Sequence, residues 1–289
     1  MFVFTPSPTE GVFYTSILYL SENISLEQLR ISFVGAGRVS GNFCRQIFNA
    51  GCKIQKIVSR TEKSSRALAL LYNAVWSLDP DFADTSDIII TAVPDDSLKE
   101  VLSRIRCSDD TLVAHTAGSL GLEVFTANIK HKGVFYPLQT FSNDRKIEFT
   151  GLPFLLEASD SFTSGTLKRL GELMGGKVYF VDSERRRMLH VAAVFVCNFT
   201  NYMLTAGDKV IKKAGFPFEV LYPLINETIL KAIEIGPVKS QTGPALRIDK
   251  GTIEKHIDLL SFSPELQRLY KEVTKSIIRF YKTSINDEF

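Results

Sequence analysis

The chain is short of cysteine, with four in 289 residues and no C-x-x-C pair among them. Cys44, Cys52, Cys107 and Cys197 each lie in apolar stretches, so they predict reduced core residues and no disulfide framework or metal site. Excess charge of one sign is missing as well. The 34 Lys and Arg face 32 Asp and Glu, a net charge of +2, which gives no electrostatic reason to expect nucleic acid or an anionic membrane as a partner. The longest apolar run near the N-terminus, Gly11 to Leu20, is too short for a bilayer, which needs ~20 residues. No Lys or Arg precedes Arg30, so a secretory signal is not expected either. Internal repeats and low-complexity segments are also lacking. What remains is 45% hydrophobic and 23% charged, an ordinary globular balance long enough for two domains. The expectation is a cytoplasmic protein.

Residues 1–30 read as an extension, with Pro6, Pro8 and Gly11 before a short β-like stretch. From Ile31 the pattern alternates. Short apolar strands over Ile31–Val34, Ile54–Val58, Asp87–Val93, Thr111–His115 and Gly133–Tyr136 alternate with helical spacing over Val39–Ala50, Lys63–Tyr72 and Ser97–Ile105. Further strands are expected at Pro153–Glu157 and Lys177–Val181. Strand–helix alternation over 150 residues predicts an α/β fold, a doubly wound parallel sheet of the Rossmann type, over 31–182. After Asp182 the strand signals stop. Helical patterns at Glu184–Lys213, Phe218–Ile235, Lys250–Leu260 and from Pro264 onward predict an all-α domain over 183–289.

The densest chemistry is Gly35-Ala36-Gly37-Arg38-Val39-Ser40-Gly41, between a strand and a helix. Gly35 permits a tight turn and Gly37 lets the backbone approach a pyrophosphate, while the helix N-terminus supplies free N–H groups. At the end of the second strand a carboxylate would select a free ribose hydroxyl. The chain has Ser59-Arg60-Thr61 there, and a guanidinium suits a 2′-phosphate, so NADP is favoured over NAD. Ala92-Val93-Pro94 should border the same cofactor at the carboxyl end of its strand. Two more such loops carry His115 with Ser119, and Tyr136; Ser119 and Tyr136 are expected to bind the substrate. His115 reads equally as a group polarising a carbonyl or imine and as a buried histidine satisfied by backbone. His190 and Asn198, eight residues apart on an apolar helix, should share a face and need partners there. Thr242-Gly243-Pro244 forces a turn before Arg247 and Asp249. This segment suits helix capping, or a substrate site in which Thr242 and Arg247 bind the substrate, Arg247 through a carboxylate.

Taken together, the glycine loop, Ala92-Val93-Pro94, His115-Thr116-Ala117-Gly118, Tyr136-Pro137-Leu138-Gln139-Thr140-Phe141, His190 to Asn198, and Thr242-Gly243-Pro244 with Arg247, Asp249, Thr252 and His256 resemble a bacterial oxidoreductase family. Its members pair a Rossmann-like half with a helical C-terminal domain of unknown function. The resemblance spans about residues 31–283. The layout is similar to pyrroline-5-carboxylate reductase and, more distantly, to prephenate dehydrogenase and the 6-phosphogluconate dehydrogenase group. It implies hydride transfer with NAD(P) and a helical domain that dimerises and closes the site. Two positions depart from the family pattern: Ser40 replaces a third glycine, and Tyr136 stands where a histidine is common before Pro137. Val194 occupies the place of the lysine of β-hydroxyacid dehydrogenases, which argues against lysine-dependent alcohol oxidation. The leading expectation is an NADP-dependent reductase of a small imino or oxo acid, with His115, His190 and Asn198 as catalytic candidates. The alternatives are an NADP-binding sensor or assembly protein without turnover, and a prephenate- or arogenate-type dehydrogenase. A homodimer is expected from the apolar stripes Val191–Leu204 and Leu266–Tyr281.

Overall fold

The computed structural model describes residues 28–286, apart from 84, 127 and 143–144. The extension expected over 1–30 therefore falls mostly outside the described residues. Arg30 already belongs to the first strand.

The first strands and helices follow the alternation of the sequence: β1 (Arg30–Val34), α1 (Arg38–Asn49), β2 (Lys53–Val58), α2 (Glu62–Leu70), β3 (Val75–Ser77), β4 (Ile88–Thr91), α3 (Asp95–Arg104), β5 (Leu112–His115) and β6 (His131–Pro137). Then come β7 (Pro153–Ala158), α4 (Ser161–Leu173) and β8 (Lys177–Phe180). One eight-stranded sheet results, in the order β3-β2-β1-β4-β5-β6-β7-β8. Ile88, Ile89 and Ile90 are all buried because helices cover both faces. Alternate residues feed two cores, Ile31, Phe33, Ile88 and Ile90 on one side, Val34, Val58, Ile89 and Val113 on the other.

The expected all-parallel arrangement holds from β1 to β6, after which β7 pairs antiparallel to β6 and β8 runs parallel to β7. Parallel neighbours need a crossover, usually through a helix, and among the described residues no helix forms between β6 and β7. The six parallel strands place all their carboxyl ends on one edge. The order reverses direction between β1 and β4, the point at which ligands bind in such sheets.

Beyond β8 the chain is helical: α5 (Ser183–Ala193), a π-helical stretch Val194–Phe199, α6 (Thr200–Lys213), α7 (Tyr222–Ile235), a short helix Pro237–Ser240, α8 (Lys250–Leu259) and α9 (Pro264–Asn286). By packing, the chain divides at Cys197/Asn198, inside the long helix and beyond the last strand. α5 thus belongs with the sheet, and the second unit begins within the π-helical stretch. The helix Ser183–Lys213 is long and apolar enough to cross a membrane by length and composition, with no part of its most apolar window buried.

Candidate functional site

The glycine turn opens at a position where no side chain fits. Gly35 has φ +103°, and a Cβ there would lie 2.2 Å from the carbonyl oxygen of Ala92. Its N–H donates to Val58 O at 2.8 Å, tying the turn to β2. Gly37 precedes α1 with open space beside it, and no side chain caps the helix. The first amides of α1 are therefore left for an anion, with the positive end of the helix behind them. The hydroxyls of Ser40 and Thr91, flanking this turn, are buried without a hydrogen-bond partner among the described residues. Buried polar groups normally have partners. Arg38 is exposed, with its guanidinium 3.4 Å from Phe141 O. Val39 packs against the core as the first apolar residue of α1. At the end of β2, Ser59 Oγ donates to Thr61 O at 2.9 Å, and Thr61 caps α2. Arg60 is exposed beside them. An uncapped helix N-terminus, an obligate glycine, orphaned hydroxyls and a guanidinium at the second strand end fit a dinucleotide carrying a 2′-phosphate.

From Ala92 a line of contacts runs along the carboxyl edge. Ala92 and Val93 are half-buried, and Pro94 leads into α3, whose first residue is Asp95. The Asp95 carboxylate accepts a hydrogen bond from Ser119 Oγ, joining the loop after β4 to the loop after β5. One residue earlier, Gly118 lies so close to two rings that a Cβ there would stand 2.8 Å from His190 Nδ1 and 2.9 Å from Tyr136 Cζ. Those rings meet each other, with Tyr136 Oη 2.9 Å from His190 Nδ1. Burial, reinforced by the charge of Asp95, raises the Tyr136 pKa above its usual value. The phenol therefore stays protonated at neutral pH. His190, on α5, reaches it from the helical side of the sheet edge.

His115 has a different environment. It is fully buried; its Nδ1 accepts the Ala117 N–H at 3.2 Å, leaving Nε2 to donate to Gly121 O at 3.2 Å. Burial, with a contribution from the Arg186 charge, lowers its pKa from 6.5 to about 4. Of the two readings open from sequence, this geometry is that of a neutral histidine satisfied by backbone. The expectation that His190 and Asn198 share a face meets the π-helical stretch, which interrupts the 3.6-residue period between them, and Asn198 falls in the second unit by packing.

The second unit has a cavity of its own, about 380 Å³, lined by Met203, Val210, Thr242, Leu269, Val273 and Ile277 among others. The lining is apolar apart from the Thr242 and Thr274 hydroxyls and the pair His256–Tyr270, whose Nδ1 and Oη lie 2.8 Å apart. Arg247 is exposed and does not line it. Asp249 caps α8, accepting the Thr252 N–H at 3.1 Å and its hydroxyl at 2.8 Å. The neighbouring Ile248 has φ +55°, a conformation a β-branched residue rarely takes.

Two sequence profiles match the chain. That of the coenzyme F420-dependent NADP oxidoreductases covers residues 30–118, and a domain of unknown function, DUF2520, covers 152–277. Among solved structures, the putative NADP oxidoreductase BF3122 of Bacteroides fragilis is 37% identical over 88% of this chain and all of its own, with a TM-score of 0.80. The chain belongs to that family of NADP oxidoreductases. Its fold recurs in TM1727 of Thermotoga maritima, at 22% identity, covering 87% of this chain and 99% of that one with a TM-score of 0.72. It recurs also in a reductive aminase of Aspergillus terreus in complex with NADPH and ethyl levulinate, 13% identical, covering 87% and 94% with a TM-score of 0.69. No curated protein matches.

Sequence reasoning passed over three residues of the carboxyl edge: Asp95 as a charge beside Tyr136, and the ion pair Glu157–Arg186. The available signal was the run Arg185-Arg186-Arg187 opening an apolar helix, with Arg186 one turn before His190.

Proposed function

We propose that the protein is an NADPH-dependent reductase of a small carbonyl or imine compound, with Tyr136 as proton donor and His190 as the group that orients it. The observation that carries this reading is the Tyr136–His190 hydrogen bond at the carboxyl edge, on the same row as the glycine turn. NADPH, when bound, supplies the hydride. Gly35, Ala36, Gly37, Arg38 and Val39 would hold its pyrophosphate, Ser59 and Arg60 its 2′-phosphate, and Ala92, Val93 and Pro94 its ribose or nicotinamide. Tyr136 O–H would deliver a proton to the substrate's oxygen or nitrogen as carbon accepts the hydride. With Nδ1–H donating to the phenol oxygen, His190 leaves the Tyr136 proton free for the substrate. Ser119, held by Asp95, borders the same spot. The charge of Asp95 favours a cationic iminium over a neutral carbonyl at that place. We assign His115 to shaping the loop and give it no proton-transfer role.

A binding-only protein would suit a chain without the histidine common before Pro137, but Tyr136 with His190 offers a proton donor in its place. In the second unit, Thr242 lines a cavity that suits an apolar body. Arg247, outside it, would meet a carboxylate only at the surface. The helical unit also supports the homodimer. α7 contains no buried residue, and Tyr222, Leu224, Ile229, Leu230, Ile233 and Ile235 are all exposed on it. An apolar helix of this kind is normally buried, and a second copy would bury it. The same holds for Val191, Phe195, Val196 and Phe199 on the long helix, which reads as partner surface and not as a membrane span.

The test is oxidation of NADPH, followed by absorbance, against a panel of imines, oxo acids and ketones. Wild type should turn over at least one class, and Tyr136→Phe should lower kcat by about 10²–10⁴-fold, the usual worth of a general acid. Its NADPH affinity should not change. A Tyr136→Phe protein as active as wild type would remove the assignment.

A further inference from the structure

The most completely buried charge in the described chain is Arg186, fully withdrawn from solvent on α5. Its Nη1 donates to Glu157 Oε2 at 2.5 Å, and Nη2 donates to Leu120 O at 2.6 Å and to Ser183 Oγ at 3.2 Å. Ser183 Oγ in turn donates to the same Glu157 oxygen at 2.7 Å. The Arg186 Nε is buried without a partner among the described residues. A buried ion pair of this kind seldom adds net stability over apolar packing, since desolvating two charges consumes the Coulombic gain. Its presence therefore calls for another reason.

That reason is visible in what the guanidinium joins. The loop after β5 lies along one face of α5 and touches it at three levels. A Cβ on Gly121 would stand 2.1 Å from Ser183 Oγ, Leu120 O is gripped by Arg186, and a Cβ on Gly118 would stand 2.8 Å from His190 Nδ1. Ser183, Arg186 and His190 succeed one another at helical spacings of three and four residues, so they form one stripe. Glu157 anchors the middle of that stripe to β7, which pairs with β6 through Tyr136↔Leu155. The strand bearing the phenol, the helix bearing the imidazole and the loop between them are thus tied together at one guanidinium.

We propose that Arg186 is a positioning residue that sets the Tyr136–His190 hydrogen bond by clamping the β5 loop and β7 onto α5. The proposal rests on the reading of Tyr136 as proton donor, and its spectroscopic test is independent of turnover. Arg186→Gln, in the full-length chain, removes the charge and leaves a shorter polar side chain that cannot reach both Glu157 and Leu120. The chain has four histidines, so ¹⁵N-histidine spectra resolve the ring nitrogens of each. In wild type the His190 ring should show a single tautomer, fixed by its bond to Tyr136. In Arg186→Gln that pattern should average between tautomers, while calorimetry returns an unchanged NADPH affinity. With an accepted substrate, kcat should fall by about 100-fold, the scale of a small misplacement of a catalytic group, with KM for NADPH unchanged. Arg186→Lys should recover part of both signals. If Arg186→Gln fails to fold, Ser183→Ala removes one link without leaving a buried charge unpaired, and the same tautomer averaging is expected. A folded variant whose His190 signals match wild type overturns the proposal, whether or not turnover has been found. So does a loss of NADPH affinity in step with kcat, which is what general loosening would produce.

Discussion

Replacing Arg60 by alanine isolates the part of the cofactor that distinguishes NADPH from NADH. Arg60 is exposed at the end of β2, beside the Ser59–Thr61 hydrogen bond that shapes the turn. A surface substitution of this sort should leave the thermal midpoint in place. If its guanidinium meets the 2′-phosphate, Arg60→Ala removes a charge-assisted hydrogen bond whose net worth is about 1.5–3 kcal/mol. Solvent screening at an exposed site places the loss at the lower end, so Kd for NADPH should rise by about tenfold. NADH has no such phosphate, and its affinity should be the same in both proteins. The assay is calorimetric titration of wild type and Arg60→Ala with each nucleotide, repeated at higher salt, where the wild-type preference for NADPH should shrink. Equal weakening toward both nucleotides would mean that the substitution disturbs the turn. No weakening toward NADPH would mean that another group binds the phosphate. Either result refutes the reasoning.

Three further outcomes are expected. Gly35→Ala combines a left-handed backbone with a Cβ driven into Ala92 O, so it should abolish nucleotide binding and lower the urea midpoint; binding retained at wild-type affinity would show that the turn is not the cradle. His115, lowered to about 4 against an unfolded 6.5, binds a proton more readily when unfolded, so its contribution is complete above pH 6.5 and is lost as pH falls toward 4. That contribution is on the order of 3 kcal/mol, and urea melts of His115→Asn across this window should show a flatter pH dependence than wild type. Ile233→Asp, on the most exposed apolar position of α7, should convert a dimer to a monomer in sedimentation velocity, and a wild type that is monomeric at every concentration would end the dimer reading.

Local pattern accounts for much of the fold. The buried triplet Ile88–Ile90 and the glycine turn after Val34 are marked by composition and spacing, because a strand covered on both faces must be apolar throughout and a turn with positive φ selects glycine. The same holds for Asp249, whose capping role follows from a carboxylate placed just before a helical run. The antiparallel entry of β7 was not legible. Its residues read as a buried strand in either direction, and direction is decided by the connection, which carries no helix among its described residues.

The site divides along the same line. Gly35, Gly37 and Arg60 stand out in the sequence as cofactor candidates because contiguous backbone and one strand end are where a dinucleotide's phosphates are expected to be met. His115 and His190 could not be told apart, since each is a histidine beside apolar neighbours. Only packing shows that the ring nitrogens of His115 are both taken by backbone, while His190 meets the phenol of Tyr136 from 54 residues away. The sequence by itself determined most of the elements, the glycine turn after Val34 and the order of a sheet region followed by a helical one, all of which depend on residues near one another in the chain. The tertiary structure decided which polar groups meet: Tyr136 with His190, Asp95 with Ser119, and Arg186 with Glu157 and Leu120. Those encounters depend on distances across separate strands, helices and loops, which no local pattern encodes.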